Sequence, residues 1–344
     1  MITKKIYLTI VIFVITIINL QAQISKIKTS KYQYKYTSKT ELIINNNYGN
    51  INILNNKSDS IIIEVRINSI AKNEKKADKI LNKASIKEKI ENDYISLSTI
   101  LDDKDNKDKL HIDYIVHIPI NTTLFIANKH GDVYINDHNG KINLNINYGK
   151  FEAKNLLFTE STPLSVLNFK YCDVNIENCN WAEINATHTN LNITNSKSLV
   201  INSKYSVVKL GNNTVLKLNS KNDIYKINSI SKISGTTKNT STYAKNLTTS
   251  INLVGENGYF KTGYISSYFD SINLKFLNGD VSLLIDDKTS YKTNCSVENG
   301  ELSIDKDINV IQGSNFNTID GFVGDDKNTK KIVNVKVVNG NLEF

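Results

Sequence analysis

A short pattern recurs in this chain at a fixed interval. The segments YCDVNI (171–176), HTNLNI (188–193), YSVVKL (205–210) and NDIYKI (222–227) each begin 17 residues after the one before. Each opens on an aromatic residue or Asn, usually continues with a small residue and a polar one, and closes on apolar-x-apolar. A second apolar pair follows at a constant offset: Ala182 and Ile184, Leu199 and Ile201, Leu216 and Leu218, Ile233 and Gly235. A period of this size marks stacked units, none of which can bury its apolar face alone. Alternation puts Val174, Ile176, Leu191, Ile193, Val208 and Leu210 inward and their polar neighbours outward. The expected fold is all-β, a β-solenoid (β-helix-like) stack of short strands.

Looser copies extend the pattern: HGDVYI (130–135), YGKFEA (148–153), NGDVSL (278–283), NGELSI (299–304) and NGNLEF (339–344), with an early relative in YGNINI (48–53). From residue 128 to the end, rungs of 17 to 23 residues predict about 12 layers, and ~4.8 Å per layer makes a rod of about 55 Å. Tandem regularity lapses between 236 and 277, where longer rungs are expected. Phe344 falls within a rung motif and reads as core. Composition agrees, with two prolines, one tryptophan and 17 tyrosines among 344 residues, and Ile, Asn and Lys throughout.

Residues 23–127 read as a β-rich region continuous with the solenoid of 128–344. One short helix is expected at about 74–82, where Ala77, Ile80 and Leu81 take helical spacing behind a capping Asn73. In HIDYIVHIPI (111–120) the apolar Ile112, Tyr114, Val116, Ile118 and Ile120 share a face. His111, Asp113 and His117 share the other, with the two histidines ~20 Å apart, too far to share a ligand.

The first residues read MITKKIYLTIVIFVITIINLQAQ. Lys4 and Lys5 precede an apolar run of 15 residues, about 22 Å as a helix against a ~30 Å hydrocarbon core. A small-residue context then follows, so residues 1–22 read as a cleaved signal peptide and the mature chain begins near Gln23. Export to the periplasm, cell surface or medium is implied, with no transmembrane segment in the mature chain. The formal charge is +8, but only one of 42 basic residues is arginine, Arg66. That excludes a surface built to grip nucleic-acid phosphates bidentately, and leaves weak attraction to acidic polysaccharide or membrane. The three cysteines read as small buried side chains, with a Cys172–Cys179 bridge as the alternative.

His130, Asp132, Asp137 and His138 fall within nine residues and could pass for a metal or acid/base cluster. Aligned rungs argue otherwise. The place of His130 is filled elsewhere by Tyr48, Tyr148, Tyr171, His188, Tyr205 and Asn222, and that of Asp132 by Asn50, Lys150, Asp173 and Asn190. A reacting residue is not rewritten in each layer, whereas a structural ladder of ringed corner residues is. Gly131, Gly149 and Gly279 are expected to supply a turn conformation, and Asp137 and His138 to lie in the next turn. The acidic loop at Asp102, Asp103, Asp105 and Asp108 departs from a calcium loop at Lys107 and Tyr114. No nucleophile elbow, zincin helix, phosphate loop, dinucleotide fingerprint or C-x-x-C pair occurs, so no catalytic, metal or cofactor residues are assigned.

NNNYGNINI, the helix, VHIPINTTLFIANKHGDVYI, INLNINYGKFEA, LNGDVSLLI, VENGELSI, GFVGDD and VKVVNGNLEF together resemble the exported putative adhesins of unknown function. That family is of β-solenoid type and occurs in bacterial envelopes. The resemblance covers nearly the whole mature chain and implies an exported, non-enzymatic repeat protein, with no catalytic residues to carry over. The middle rungs depart from it by replacing Gly with Cys172, Thr189, Ser206 and Asp223. The expected role is adhesin-like or scaffolding, with polysaccharide or envelope proteins as partners through exposed polar ladders. Alternatives are a solenoid polysaccharide lyase or hydrolase acting on acidic glycans, and a self-associating scaffold.

Overall fold

The computed structural model describes residues 23–102, 109–158, 164–304, 311–312 and 316–344. Residues 1–22, where a signal peptide is expected, and Asp103, Asp105 and Asp108 of the acidic loop lie outside them. The described residues form one large sheet and one helix. The N-terminal strands are β1 (Ile24–Lys35), β2 (Glu41–Asn47), β3 (Ile51–Asn55) and β4 (Ser60–Ala71). Helix α1 (Glu74–Leu81) follows, with the Asn73 side chain accepting from Lys76 N at 2.9 Å. Then come β5 (Ala84–Glu91), β6 (Tyr94–Leu101), β7 (Leu110–Ile118), β8 (Thr123–Lys129) and β9 (Val133–His138).

The winding strands are β10 (Ile142–Leu156), β11 (Ser165–Thr187), β12 (Asn190–Lys204), β13 (Val207–Lys221) and β14 (Ile224–Thr262). Their parallel registers carry the sequence period directly: Asp173 pairs with Asn190, Asn190 with Val207, and Val207 with Ile224. Inward positions therefore stack on like positions. Val133, Phe151, Val174, Leu191, Val208 and Tyr225 make one buried column, and Ala182, Leu199, Leu216 and Ile233 another. Where no side chain fits, Gly235 serves: a Cβ there would lie 1.8 Å from Leu218 O.

Both ends depart from simple winding. β2 and β3 lie between two layers, with β6 and β7 on one side and β8 and β9 on the other, all parallel. Residues 56–122 thus run out to build an extra layer and return. Antiparallel strands then seal that layer, β5 along β6, β4 along β7, and β1 along β4.

The other end repeats the device with β15 (Ser271–Ser282), β16 (Tyr291–Glu298), β17 (Leu302–Ser303), β18 (Ile311–Gln312), β19 (Phe316–Val323), β20 (Ile332–Val338) and β21 (Leu342–Glu343). The last layer, β20 and β21, slots between β15 and the layer of β16 and β17, and antiparallel β19 covers β16. Phe344 is buried there. At the N-terminal end β4 and β5 thus cover both strands of the outermost layer, whereas at the other end β19 covers β16 and, among the described residues, β17 pairs only with β21.

Candidate binding surface

One corner recurs through twelve layers of the described residues. Twelve non-glycine residues hold left-handed backbone there, with φ from 50° to 62°: Tyr48, His130, Tyr148, Tyr171, His188, Tyr205, Asn222, Asn239, Asn257, Asn278, Asn299 and Asn339. This corrects the expectation for the glycines. The left-handed residue is the one before Gly131, Gly149 and Gly279, and those glycines answer a different demand. A Cβ on Gly131 would lie 1.9 Å from Gly49 O, and one on Gly149 2.1 Å from Gly131 O. Glycine is required by the close approach of successive backbones.

In the middle layers the same position carries Cys172, Thr189, Ser206, Asp223 and Thr240, all buried. They turn inward and form a polar column: Thr189 N donates to Ser206 Oγ at 3.2 Å, and Ser206 N to Asp223 Oδ1 at 2.6 Å. Asp223 N in turn donates to Thr240 Oγ1 at 3.4 Å. Asp223 also accepts from Ser203 and Ser220 hydroxyls and from Lys221 N, so the buried carboxylate is fully engaged.

At the corner the six ringed residues stack in the order Tyr48, His130, Tyr148, Tyr171, His188, Tyr205, at centroid spacings of 4.8–5.0 Å and interplanar angles of 3–14°. Five such steps give a pile about 25 Å long. The column continues in amides, Asn239 donating to Asn222 at 2.8 Å, Asn257 to Asn239 at 2.9 Å, Asn339 to Asn278 at 2.9 Å and Asn299 to Asn339 at 3.0 Å. A left-handed aromatic residue costs roughly 1–2 kcal/mol, and a stacked pair returns about 0.5–1.5 kcal/mol. The two nearly cancel, so the ladder chiefly sets register. Asn tolerates the same backbone at lower cost, which suits the layers without rings.

The ladder is also an exposed surface. Tyr148, Tyr171 and Tyr205 are 42–47% exposed, with Lys170 Nζ 5.6 Å from the Tyr171 centroid and Lys204 Nζ 5.0 Å from that of Tyr205. Each ring covers its neighbour's face, so solvent meets ring edges and hydroxyls. A sugar or base could stack flat only at the ends of the pile.

The four residues of the cluster around His130 take separate places in the layers. Asp132 Oδ1 accepts Lys150 N at 2.8 Å, Asp132 N donates to Asn50 Oδ1 at 2.9 Å, and Asn50 N donates to Asp113 Oδ1 at 2.8 Å. These bonds bridge successive layers where the corner interrupts the backbone ladder. Tyr134 Oη donates to Asp132 Oδ2 at 2.9 Å; desolvation, and then that carboxylate, raise the Tyr134 pKa. Asp137 and His138 end β9 instead of lying in a turn, and His138 is fully buried with its ring edge-on to Phe158. Sequence reading missed this because N-D-H-N-G is strong turn composition, yet only Asn139 and Gly140 leave the strand. The cysteines are unbridged and buried, and desolvation pushes the Cys179 thiol up to about 12. His111 contacts Asp113 at 3.0 Å on the outer face of β7. Among the described residues no group of three or more His, Cys, Asp or Glu could hold a metal ion, and no helix is long and apolar enough to cross a membrane.

Two surfaces flank the corner. On one side run amide columns, with Asn202 donating to Asn185 at 2.9 Å and Asn185 to Asn168 at 2.9 Å. On the other, a groove of about 550 Å³ crosses β3, β9, β10, β11 and β12. Its outward residues include Tyr134, Glu152, Lys154, Asn175 and Glu177, and Glu152 is ion-paired to Lys150.

The arrangement defines the class: a β-solenoid with antiparallel strands laid over its end layers, carrying repeated polar columns outside. No protein-family model matches the sequence, and no curated protein matches it. Among solved structures it is similar to a putative cell adhesion protein from Clostridium sporogenes, at 12% identity and TM-score 0.23, over 92% of this chain and 98% of that one. It is also similar to a putative adhesin from Bacteroides fragilis, at 15% identity and TM-score 0.34, over 75% of this chain and 97% of that one. A putative adhesin from Parabacteroides merdae shows 14% identity and TM-score 0.32, over 75% of this chain and 96% of that one. Likeness at these values transfers no function.

Proposed function

We propose that the mature chain is an exported, non-enzymatic binding protein of adhesin type, which holds cell-envelope partners through its exposed polar columns. The observation that carries the reading is identical chemistry repeated on the outer faces layer after layer, as in Asn168–Asn185–Asn202 beside the Tyr171–His188–Tyr205 ladder. Such columns present many equivalent weak contacts on a rigid frame, which suits a repetitive partner. The proposal extends to processing near Gln23 and to a β-rich region at 23–127 continuous with the solenoid of 128–344. The test is cell fractionation with surface proteolysis, followed by retention of the mature chain on isolated envelopes. Export with saturable retention is expected; a cytoplasmic chain, or none held on any envelope, refutes the reading.

The groove favours one second reading, because Glu152, Lys154, Glu177 and Tyr134 gather there from neighbouring layers. A solenoid lyase or hydrolase would release product from acidic glycans and lose that activity in Glu177→Gln. Binding without turnover favours adhesion alone.

A further inference from the structure

The charge of this protein is gathered in its middle. Between Glu183 and Glu256 lie nine lysines and a single acid, Asp223, so these 72 residues carry the whole formal +8 of the chain. The other 272 residues hold 33 basic and 33 acidic side chains. Asp223 is buried, whereas Lys197, Lys204, Lys209, Lys217, Lys221, Lys226, Lys232, Lys238 and Lys245 are all exposed. The layers of β12, β13 and the first part of β14 therefore form a cationic belt.

The register sharpens it. Lys204 pairs with Lys221 and Lys221 with Lys238, a vertical column of like charges beside the corner ladder. Lys217 shares that face, and Lys209 pairs with Lys226 across the corner. Neighbours one layer apart sit ~5 Å from each other, inside the ~8 Å screening length of physiological salt, so they repel. Like charges opposed on a sheet cost stability. Among the described residues Lys209, Lys217, Lys221 and Lys226 have no carboxylate within ion-pair distance. The column ends where Lys238 meets Glu256 at 2.7 Å.

We infer that the belt binds an acidic, carboxylate-bearing polysaccharide laid along the solenoid axis. The inference rests on the adhesin reading and names its ligand class. A linear polyanion relieves the repulsion within the column. The adjacent Asn202, Asn219 and Thr236 offer amides and a hydroxyl to sugar hydroxyl groups, with Thr236 Oγ1 already donating to Asn219 at 3.2 Å. Nucleic acid fits poorly, because the belt has no arginine for phosphate and the ladder's ring faces are covered. A flat membrane fits poorly too, since the lysines wrap two faces that a plane cannot touch together.

The test uses the full mature chain with polygalacturonate, against dextran, duplex DNA and phosphatidylglycerol vesicles, across a salt series. Lys204→Gln, Lys217→Gln and Lys221→Gln are combined. A control of equal charge change combines Lys57→Gln, Lys87→Gln and Lys327→Gln. Wild type is expected to prefer polygalacturonate. The belt variant should bind it at least tenfold more weakly, with the slope of log affinity against log salt lower by about two. The control should match wild type, and thermal melts of both variants should confirm folding. Equal loss in the control, tighter binding of DNA or vesicles, or no polygalacturonate binding overturns the inference. If the belt variant holds envelopes and polygalacturonate as wild type does, the belt falls and adhesion stands. If wild type holds neither, both fall.

Discussion

His138 makes the stability of this protein depend on pH in a calculable way. Its ring lies in the inward column that continues as Leu156 and Cys179, and desolvation there brings its pKa from 6.5 to about 4. The backbone at Lys141 and Thr122 pulls the other way, but no hydrogen bond of good geometry reaches either ring nitrogen. The folded pKa is thus below the unfolded one, and the unfolded chain takes the proton first as pH falls. The neutral ring's contribution is whole above about pH 6.5 and is lost progressively toward pH 4. A difference of about 2.5 units at ~1.36 kcal/mol each amounts to roughly 3 kcal/mol. Urea denaturation of the protein across that range, beside His138→Leu, isolates this group from every other titration. Leu is the residue the next layer places in that column. Wild type should lose up to ~3 kcal/mol more than the variant between about pH 7 and pH 4. Parallel losses in the two proteins, or a wild type that gains on acidification, would show that burial of His138 does not set this pH dependence.

Two further perturbations address the corner. Gly149→Ala places a Cβ 2.1 Å from Gly131 O, against backbone that cannot yield, and should cost about 3 kcal/mol or more in chemical denaturation. Asp223→Ala strips the acceptor from Ser206 N and Lys221 N inside the middle layers, with an expected loss of about 3–5 kcal/mol by the same measurement.

Much of the fold was legible because a solenoid writes its geometry into its period. The 17-residue spacing of Tyr171, His188, Tyr205 and Asn222 is the strand register itself, and alternation located Val174, Leu191 and Val208 in the core. The corner position was visible as a choice of ring or Asn, but its backbone was not. Glycine is the usual carrier of positive φ, so its presence one residue later misdirected the assignment. The order of layers was hidden as well. Strand pairing between Ile51 and Val133, or between Ile272 and Val333, leaves no local trace, because loop closure across long inserts is settled by edge protection and not by any motif. The cationic belt was in plain view between Glu183 and Glu256, but a whole-chain charge averages it away.

The corner forms one column whose order differs from the order of the chain, with the layer of Asn339 between those of Asn278 and Asn299. Oxidative cross-linking of cysteine pairs tests it directly. Asn278→Cys with Asn339→Cys joins adjacent layers, ~4.8 Å apart and within disulfide reach, whereas Asn278→Cys with Asn299→Cys spans two layers at about 10 Å. The first pair should form a disulfide and the second should not. Efficient linkage of 278 to 299 with none to 339 would show layers stacked in chain order, and would contradict it.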